Sequence, residues 1–120
     1  METEQVKYKY MTEQAIKNEF QQLLDNSLEA VVNGNISLLD RIGTVAKGYR
    51  RKIGEGIDQE TYKKQNDLSV VLIGQLKRFQ ESVGKKIGGW QSEQSQAVAN
   101  IYNDVDEYYY AWAGNKLDKD

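Results

Sequence analysis

The chain has 120 residues, of which 39% are hydrophobic and 28% charged, and its formal net charge is −2. It contains no histidine and no cysteine, the side chains most used for neutral-pH proton transfer, metal binding and disulfide formation. It also has no proline, although ~5% average usage would give about six, and a proline inside a helix costs about 3 kcal/mol. These absences predict an all-α fold and count against disulfide frameworks, zinc sites and catalysis by His or Cys.

Length and hydropathy restrict the setting in which the chain works. A chain of 120 residues is one domain, large enough for a single core. Its first ten residues lack the apolar region of a secretory signal, and its longest apolar run, residues 70–73, is far shorter than a membrane span. We therefore expect a cytoplasmic or virion protein with no membrane contact, and signal-independent secretion is the alternative.

Charge is distributed unevenly along the chain. Residues 1–40 have three Lys or Arg against seven Asp or Glu, residues 41–90 have eleven against five, and residues 91–120 have two against six. The resulting charges are −4, +6 and −4. Whatever the fold, its middle is basic and its two ends are acidic.

Apolar residues in the first third of the chain recur every three or four positions, the spacing of one buried helix face. This pattern predicts a helix over about residues 12–33, beginning at Thr12 and ended by Asn33 and Gly34. Its apolar members are Ile16, Phe20, Leu23, Leu24, Leu28, Val31 and Val32.

The next apolar stripe predicts a second helix over residues 37–53. Ser37 and Asp40 have the spacing of a capping box with Asp in place of Glu, and Gly54 and Gly56 follow the last apolar residue. The apolar members are Leu38, Leu39, Ile42, Val45, Ala46, Tyr49 and Ile53.

Two further helices follow, predicted over residues 58–88 and 92–113. Asp58 is the expected N-cap of the third helix, with Ile57 and Tyr62 spaced as a hydrophobic staple. Gly88 and Gly89 should break the chain, because two adjacent glycines cost about 2 kcal/mol relative to alanine inside a helix. The apolar stripes are Leu72, Leu76, Phe79, Val83, Ile87 and Trp90, and then Val98, Ile101, Val105, Tyr108 and Trp112.

Four helices joined by short glycine-containing turns predict an all-α domain, either an antiparallel four-helix bundle or paired helical hairpins. The stripes of the third and fourth helices are narrow, like coiled-coil seams, so completion of the core by oligomerisation is an alternative to a monomeric bundle. We expect residues 1–11 and 114–120 to be flexible.

Residues 41–52, here called the basic stretch, carry five cations and no acidic residue. Lys47, Arg50 and Arg51 have i, i+3 and i+4 spacing, so their heads should converge on one helix face, where phosphate or an acidic partner could dock. These three residues are the predicted anion-binding residues, and nucleic acid or another polyanion is the candidate ligand. In the alternative interpretation, basic second and third helices lie beside acidic first and fourth helices, and the opposite charges select which helices become neighbours.

Residues 108–112, here called the aromatic segment, read Tyr-Tyr-Tyr-Ala-Trp. Successive residues are turned by about 100° around a helix, so one core cannot receive all three tyrosine rings and at least one must face solvent or a partner. Tyr and Trp are enriched at interface hot spots. The predicted partner interface is therefore Tyr108, Tyr109, Tyr110, Trp112 and Trp90. The alternative places Tyr108 and Trp112 in the core.

The sequence offers little to an enzyme. Its densest carboxylate cluster is Asp104, Asp106 and Glu107, and ferritin-like metal sites combine glutamates with a Glu-x-x-His element that this chain cannot supply. No dinucleotide-binding, P-loop or nucleophile-elbow glycine pattern is present. We predict a non-enzymatic protein with no catalytic residue, no metal and no cofactor, in which these carboxylates form a solvated face.

One short motif resembles a known family. Tyr102-Asn103-Asp104-Val105-Asp106 is similar to the Tyr-x-x-x-Asp/Glu export signal of small helical-hairpin substrates of type VII secretion, at the C-terminal position used in that family. The resemblance implies a secreted helical hairpin that works with a partner. The Trp-x-Gly turn of that family is replaced by the reverse order, Gly88-Gly89-Trp90.

These features favour a helical binding or assembly protein: an adaptor, inhibitor or structural subunit, of the kind that phages and viruses encode. It would act through contacts with a protein partner or with its own copies. Two alternatives stay open, namely a polyanion-binding structural protein that uses the basic stretch and a type VII secretion substrate or partner.

Overall fold

The computed structural model describes residues 10–89 and 92–117, with side chains as far as Tyr110. These residues form four α-helices, α1 Glu13–Val32, α2 Ser37–Ile53, α3 Gln59–Ile87 and α4 Glu93–Leu117. The prediction of four helices in an all-α chain is confirmed. The largest difference is at the end of α4, which continues to Leu117 and so includes part of the segment expected to be flexible. Residues 1–11 were also expected to be flexible, but the last of them is hydrogen-bonded to α2, since the Met11 amide donates to the Lys52 carbonyl at 2.8 Å.

Side-chain caps explain where two of the helices begin. Thr12 Oγ1 accepts from the Ala15 amide at 3.1 Å, and Asp58 Oδ1 accepts from the Thr61 amide at 2.9 Å. Both oxygens satisfy an amide that the first helical turn leaves without a partner. The N–H of Thr61 also holds the pKa of Asp58 below its usual range, because the hydrogen bond favours the charged carboxylate.

Two predicted start signals are wrong. The N-cap of α2 is Ile36, already in the helical region, and the Ser37 hydroxyl donates back to Asn35 at 2.8 Å instead of capping. The turn after α1 therefore leads straight into α2 without a capping box. The hydrophobic staple at α3 is also absent, because Ile57 is 82% exposed while Tyr62 is buried.

Glycines end α1 and α3 where the backbone becomes left-handed. Gly34 has a φ of 104° and Gly88 a φ of 87°, values that glycine adopts without steric cost. The amides that follow return to the last turn of each helix, from Asn35 to Ala30 at 2.9 Å and from Gly89 to Gly84 at 3.1 Å. The predicted helix ends at these glycines are confirmed.

The helices pack as two antiparallel hairpins, α1–α2 and α3–α4, lying side by side in a four-helix bundle. The first hairpin is closed by Tyr49, whose hydroxyl donates to Glu19 at 2.9 Å and whose ring meets Phe20 edge-on at a centroid distance of 6.0 Å. The second is closed by Gln80, which donates to the Ser95 carbonyl at 2.9 Å.

Between the hairpins, α3 lies beside α1 and α4 lies beside α2. In both pairs, residues later in one helix contact residues later in the other, so the two helices of each pair run parallel. Lys47 meets Asp104 and Arg50 meets Tyr108 along the second pair. An added Cβ at Gly43 would lie only 3.4 Å from the Ile101 side chain, so this glycine permits the close approach of α2 and α4.

The apolar stripes of all four helices meet in one core. Its fully buried members include Ile16, Phe20, Leu24, Leu39, Ile42, Tyr49, Leu68, Leu72, Leu76, Val98 and Val105. None of the described helices combines the length and the apolar character needed to cross a membrane.

Glutamine side chains connect the helices through main-chain carbonyls. Gln65 donates from α3 to the carbonyls of Arg50 and Gly54 at the end of α2, at 3.1 and 2.8 Å. Gln75 donates from α3 to the Lys17 carbonyl of α1 at 2.9 Å, and Gln94 donates from α4 to Val32 at 3.2 Å. Gln65 and Gln75 are almost fully buried. Sequence analysis did not identify them, although both lie on the same buried side of α3 as Leu68, Leu72 and Leu76.

Candidate functional site

The basic stretch and the aromatic segment, which are far apart in sequence, meet where α2 packs against α4. The Arg50 guanidinium carbon lies 5.4 Å from the centroid of the Tyr108 ring, and its Nη2 lies 3.3 Å from the Tyr108 hydroxyl. Lys47 Nζ lies 5.8 Å from the same centroid and forms an ion pair with Asp104. A cation near the face of an aromatic ring is attracted by the ring quadrupole. These contacts hold Tyr108 against α2.

The three predicted anion-binding residues do not form one open cationic face. Arg50 is only 5% exposed and lies under Tyr108. Lys47 is paired with Asp104, while Arg51 is exposed. The reason is geometric, because the i, i+3 face of α2 that carries Lys47 and Arg50 is the face that packs against α4. The Lys47–Asp104 pair supports the alternative in which basic α2 lies beside acidic α4.

The aromatic segment divides between core and surface. Tyr109 is 3% exposed, and its hydroxyl donates to the Ala46 carbonyl at 2.6 Å. Its ring meets that of Tyr108 edge-on at 5.8 Å. The placement of Tyr109 in a partner interface is therefore corrected, since its ring fills the core between α4 and α2. Burial raises the pKa of the Tyr109 phenol because the charged form would lose its hydration.

The neighbouring tyrosines remain at the surface. Tyr108 is 37% exposed and Tyr110 is 72% exposed. The alternative that placed Tyr108 in the core is thus wrong, while the expectation that at least one ring of the segment faces outward is confirmed. Trp90 and the Trp112 side chain lie outside the part of the chain that the structure describes. We call Tyr108 and Tyr110 the aromatic surface.

The residues of the export-signal motif lie in the middle of α4. The Tyr102 ring centroid is 5.5 Å from Lys77 Nζ, and the Tyr102 hydroxyl is 3.5 Å from Gln80 Oε1. Asp106, four residues later, is exposed. The tyrosine of the motif therefore packs against α3, and its carboxylate faces solvent.

The carboxylates in the middle of α4 do not converge. Asp104 turns to Lys47, whereas Asp106 and Glu107 are exposed. Among the residues that the structure describes, no group of three or more His, Cys, Asp or Glu side chains is arranged to hold a metal ion. The side chains of Asp106 and Glu107 thus face solvent.

An open groove runs between α1 and α3, and sequence analysis gave no indication of it. Two adjoining cavities of about 320 and 450 Å³ share Asp25 and Leu28. Val32 lines the groove from α1, and Arg78 and Phe79 line it from α3. Its residues come from two helices that are far apart in sequence, so only the packing of α1 against α3 brings them together.

Comparisons with protein-family models, with curated proteins and with solved structures found no match for this chain. The functional proposal therefore depends on the chain's own residues.

Proposed function

We propose that the chain is a non-enzymatic helical binding or assembly protein that acts through protein–protein contacts made by α4. The observation that carries the proposal is the exposure of Tyr110. Its side chain is 72% exposed, whereas the preceding residue, Tyr109, is buried in the core. Tyrosine provides a large contact area at low conformational-entropy cost, and it recurs at interface hot spots.

The surroundings of Tyr110 suit such a contact. Tyr109 anchors the same turn of α4 through its hydrogen bond to Ala46, and Arg50 holds Tyr108. The turn is therefore rigid before any partner arrives, which lowers the entropy cost of binding. Asp106 and Glu107 lie four and three residues before Tyr110 and add exposed negative charge to the same region.

The geometry favours protein contact over polyanion binding. Of the three cations proposed to bind a polyanion, Lys47 is paired and Arg50 is buried, so binding at that face would require the α2–α4 contacts to open. Tyr110 needs no such rearrangement, because its ring is already outside.

Photo-cross-linking in cells that express the full chain tests the proposal. A benzophenone amino acid in place of Tyr110 should give a covalent adduct on irradiation, identified by its mass. The same residue in place of Ile57, which is 82% exposed on the loop between α2 and α3, is the matched control. Equal labelling at both positions, or no adduct at position 110, would overturn the proposal.

A further inference from the structure

Tyr108 and Asp104 form a cation-binding pair inside the bundle. They lie four residues apart on one side of α4 and both contact α2. Lys47 pairs with Asp104 while its Nζ lies 5.8 Å from the centroid of the Tyr108 ring. The Arg50 guanidinium carbon lies 5.4 Å from the same centroid. A tyrosine and a carboxylate one helical turn apart therefore receive cations together, the carboxylate by charge and the ring through its face.

Tyr110 and Asp106 repeat this spacing on the other side of α4. They are also four residues apart, and Glu107 lies three residues before Tyr110. Around the helix, Tyr110 therefore lies between the two carboxylates, about 40° from Asp106 and about 60° from Glu107. All three side chains are exposed. We call these three residues the outer α4 site.

Within the part of the chain that the structure describes, the outer α4 site has no cation of its own. The ion pairs there join Lys47 to Asp104 and Lys63 to Asp67, so neither carboxylate of the site is paired. Cations lie 5.4 to 5.8 Å from the ring centroids of three other tyrosines, namely Tyr49, Tyr102 and Tyr108. The outer α4 site thus has the side chains of a cation-binding pair but not the cation.

The charges of α4 around this site have one sign. From the start of the helix as far as Tyr110, its charged side chains are all acidic, namely Glu93, Asp104, Asp106 and Glu107. Over residues 91–120 there are six acidic residues against two lysines, and both lysines follow Tyr110 in the chain. A partner that contacts this side of α4 gains most from positive charge.

The neighbouring helices do not supply that charge. The nearby edge of α3 is balanced, because its exposed lysines are matched by exposed carboxylates, namely Lys63, Lys77, Asp67 and Glu81. The cations of α2 reach α4 on the side of Tyr108, which is turned by about 200° from Tyr110. The positive charge must therefore come from outside the bundle.

We propose that the outer α4 site binds an arginine-bearing segment of another protein. This inference rests on the proposed function and names the chemistry of its partner. A guanidinium suits the site better than an ammonium, because it is planar, stacks on an aromatic ring and donates two parallel hydrogen bonds to a carboxylate. The bound arginine takes on Tyr110 the role that Arg50 takes on Tyr108 within the chain.

Photo-cross-linking from position 110 identifies the bound segment. A benzophenone amino acid in place of Tyr110 keeps an aromatic ring at that position and leaves both carboxylates intact. Digestion of the adduct and sequencing by mass spectrometry should give a peptide of another protein that contains arginine. A peptide without arginine, or an adduct with the mass of two copies of this chain, overturns the inference.

Neutralising the carboxylates tests recognition by charge. In the same benzophenone chain, Asp106→Asn with Glu107→Gln should lower the adduct yield by about tenfold or more, as expected for charged groups at the centre of an interface. Glu29→Gln with Glu93→Gln removes the same charge from exposed positions on α1 and at the start of α4, about 25 Å from Tyr110. That control should leave the yield unchanged, and circular dichroism checks that both variants are folded. Equal yields from the two variants would contradict the inference.

The peptide recovered in the adduct then measures the contribution of the aromatic ring. When this peptide is titrated against the full chain, Tyr110→Leu should have a dissociation constant about fivefold higher than Tyr110→Phe, because leucine has no aromatic face for a cation. Replacing the arginine of the peptide by glutamine should remove this difference. Equal dissociation constants for the two chain variants would overturn stacking of arginine on Tyr110, and with it the inference.

The failures of the two proposals are distinguishable. If the adduct at position 110 forms equally well without the two carboxylates, the inference fails and the proposed function survives with a partner of different chemistry. If no adduct forms at position 110, both fail.

Discussion

The three consecutive tyrosines of α4 lie in three different environments. Tyr108 leans on the Arg50 guanidinium, Tyr109 is enclosed and bonded to the Ala46 carbonyl, and Tyr110 faces solvent. Their chemistry differs accordingly. Burial penalises the phenolate of Tyr109, and the nearby Tyr108 raises the pKa of Tyr109 further, while the Arg50 charge acts in the opposite direction.

This burial predicts a loss of stability at alkaline pH. The folded state raises the Tyr109 pKa above the ordinary value of about 10, so stability is complete below pH ~10 and falls as pH rises beyond it, because only the unfolded chain ionises readily. The slope from one such tyrosine is up to about 1.4 kcal/mol per pH unit. Tyr109→Phe should flatten the fall in unfolding free energy that urea unfolding measures between pH 9 and 11. This window extends about one unit either side of the ordinary tyrosine pKa of about 10.

Tyr110→Phe is the matched control for this measurement, because its phenol is exposed. It should leave the alkaline slope as in the parent. Tyr49, whose pKa is raised by burial and by the hydrogen bond to Glu19, keeps a residual slope in both variants. An unchanged slope in Tyr109→Phe would show that the Tyr109 phenol ionises equally well in the folded state.

The contacts of the basic stretch predict that its cations stabilise the fold. Replacing Lys47, Arg50 and Arg51 together by Gln should lower the melting temperature, mainly through Arg50, whose hydrogen bonds in a buried site contribute on the order of 1–3 kcal/mol. Arg51→Gln alone should have almost no effect, since that side chain is exposed. Thermal unfolding of both variants makes the comparison.

Oligonucleotide binding as a function of salt decides the competing hypothesis. If the triple variant melts like the parent but loses a steep, salt-dependent affinity for DNA or RNA, the three cations bind a ligand instead of supporting α2 against α4.

At the scale of elements, α3 joins the bundle together. It packs along α1 and α4, and Gln65 reaches the C-terminal carbonyls of α2. The last carbonyls of a helix have no partner within it, so a buried helix end needs a donor from elsewhere. Gln65 supplies that donor from inside the core.

Comparison of two buried glutamines of α3 tests this role. Gln65→Leu should destabilise the fold by on the order of 1–3 kcal/mol, because the Gly54 carbonyl at the end of α2 loses its donor. Gln75→Leu should cost less, because the Lys17 carbonyl lies inside α1 and Gln75 Oε1 is buried without a hydrogen-bond partner among the described residues. Denaturant unfolding of both variants measures the difference. Equal losses would contradict a capping role for Gln65.

For the molecule as a whole, local patterns predicted the elements well. Apolar spacing, the N-cap at Asp58, and the glycines at 34 and 88 placed the four helices, because each signal acts within one or two turns of the chain. The start of α2 at residue 37 was predicted correctly, but its capping box was not, since Ser37 and Asp40 have the spacing of that motif while the chain enters α2 already helical at Ile36.

The composition of the site depended on contacts that local patterns do not contain. Tyr109 is buried because Ala46, 63 residues earlier, accepts its hydroxyl, and Lys47 is paired because α2 lies beside α4. Periodicity predicts that a helix has a buried face, but which neighbour meets that face is settled only when all four helices pack. The geometry of three adjacent tyrosines was predictable for the opposite reason, because it follows from one helix alone.

The loop between α2 and α3 is the only covalent link between the two hairpins. Glu55, Gly56 and Ile57 are exposed there, whereas the contacts that join the hairpins come from side chains far away in sequence, such as Gln75 to Lys17 and Tyr109 to Ala46. A protease that cuts after Glu55 would therefore release no fragment at once. The product would be a complex of two chains whose lifetime depends on dilution, so the loop sets the effective concentration of one hairpin for the other.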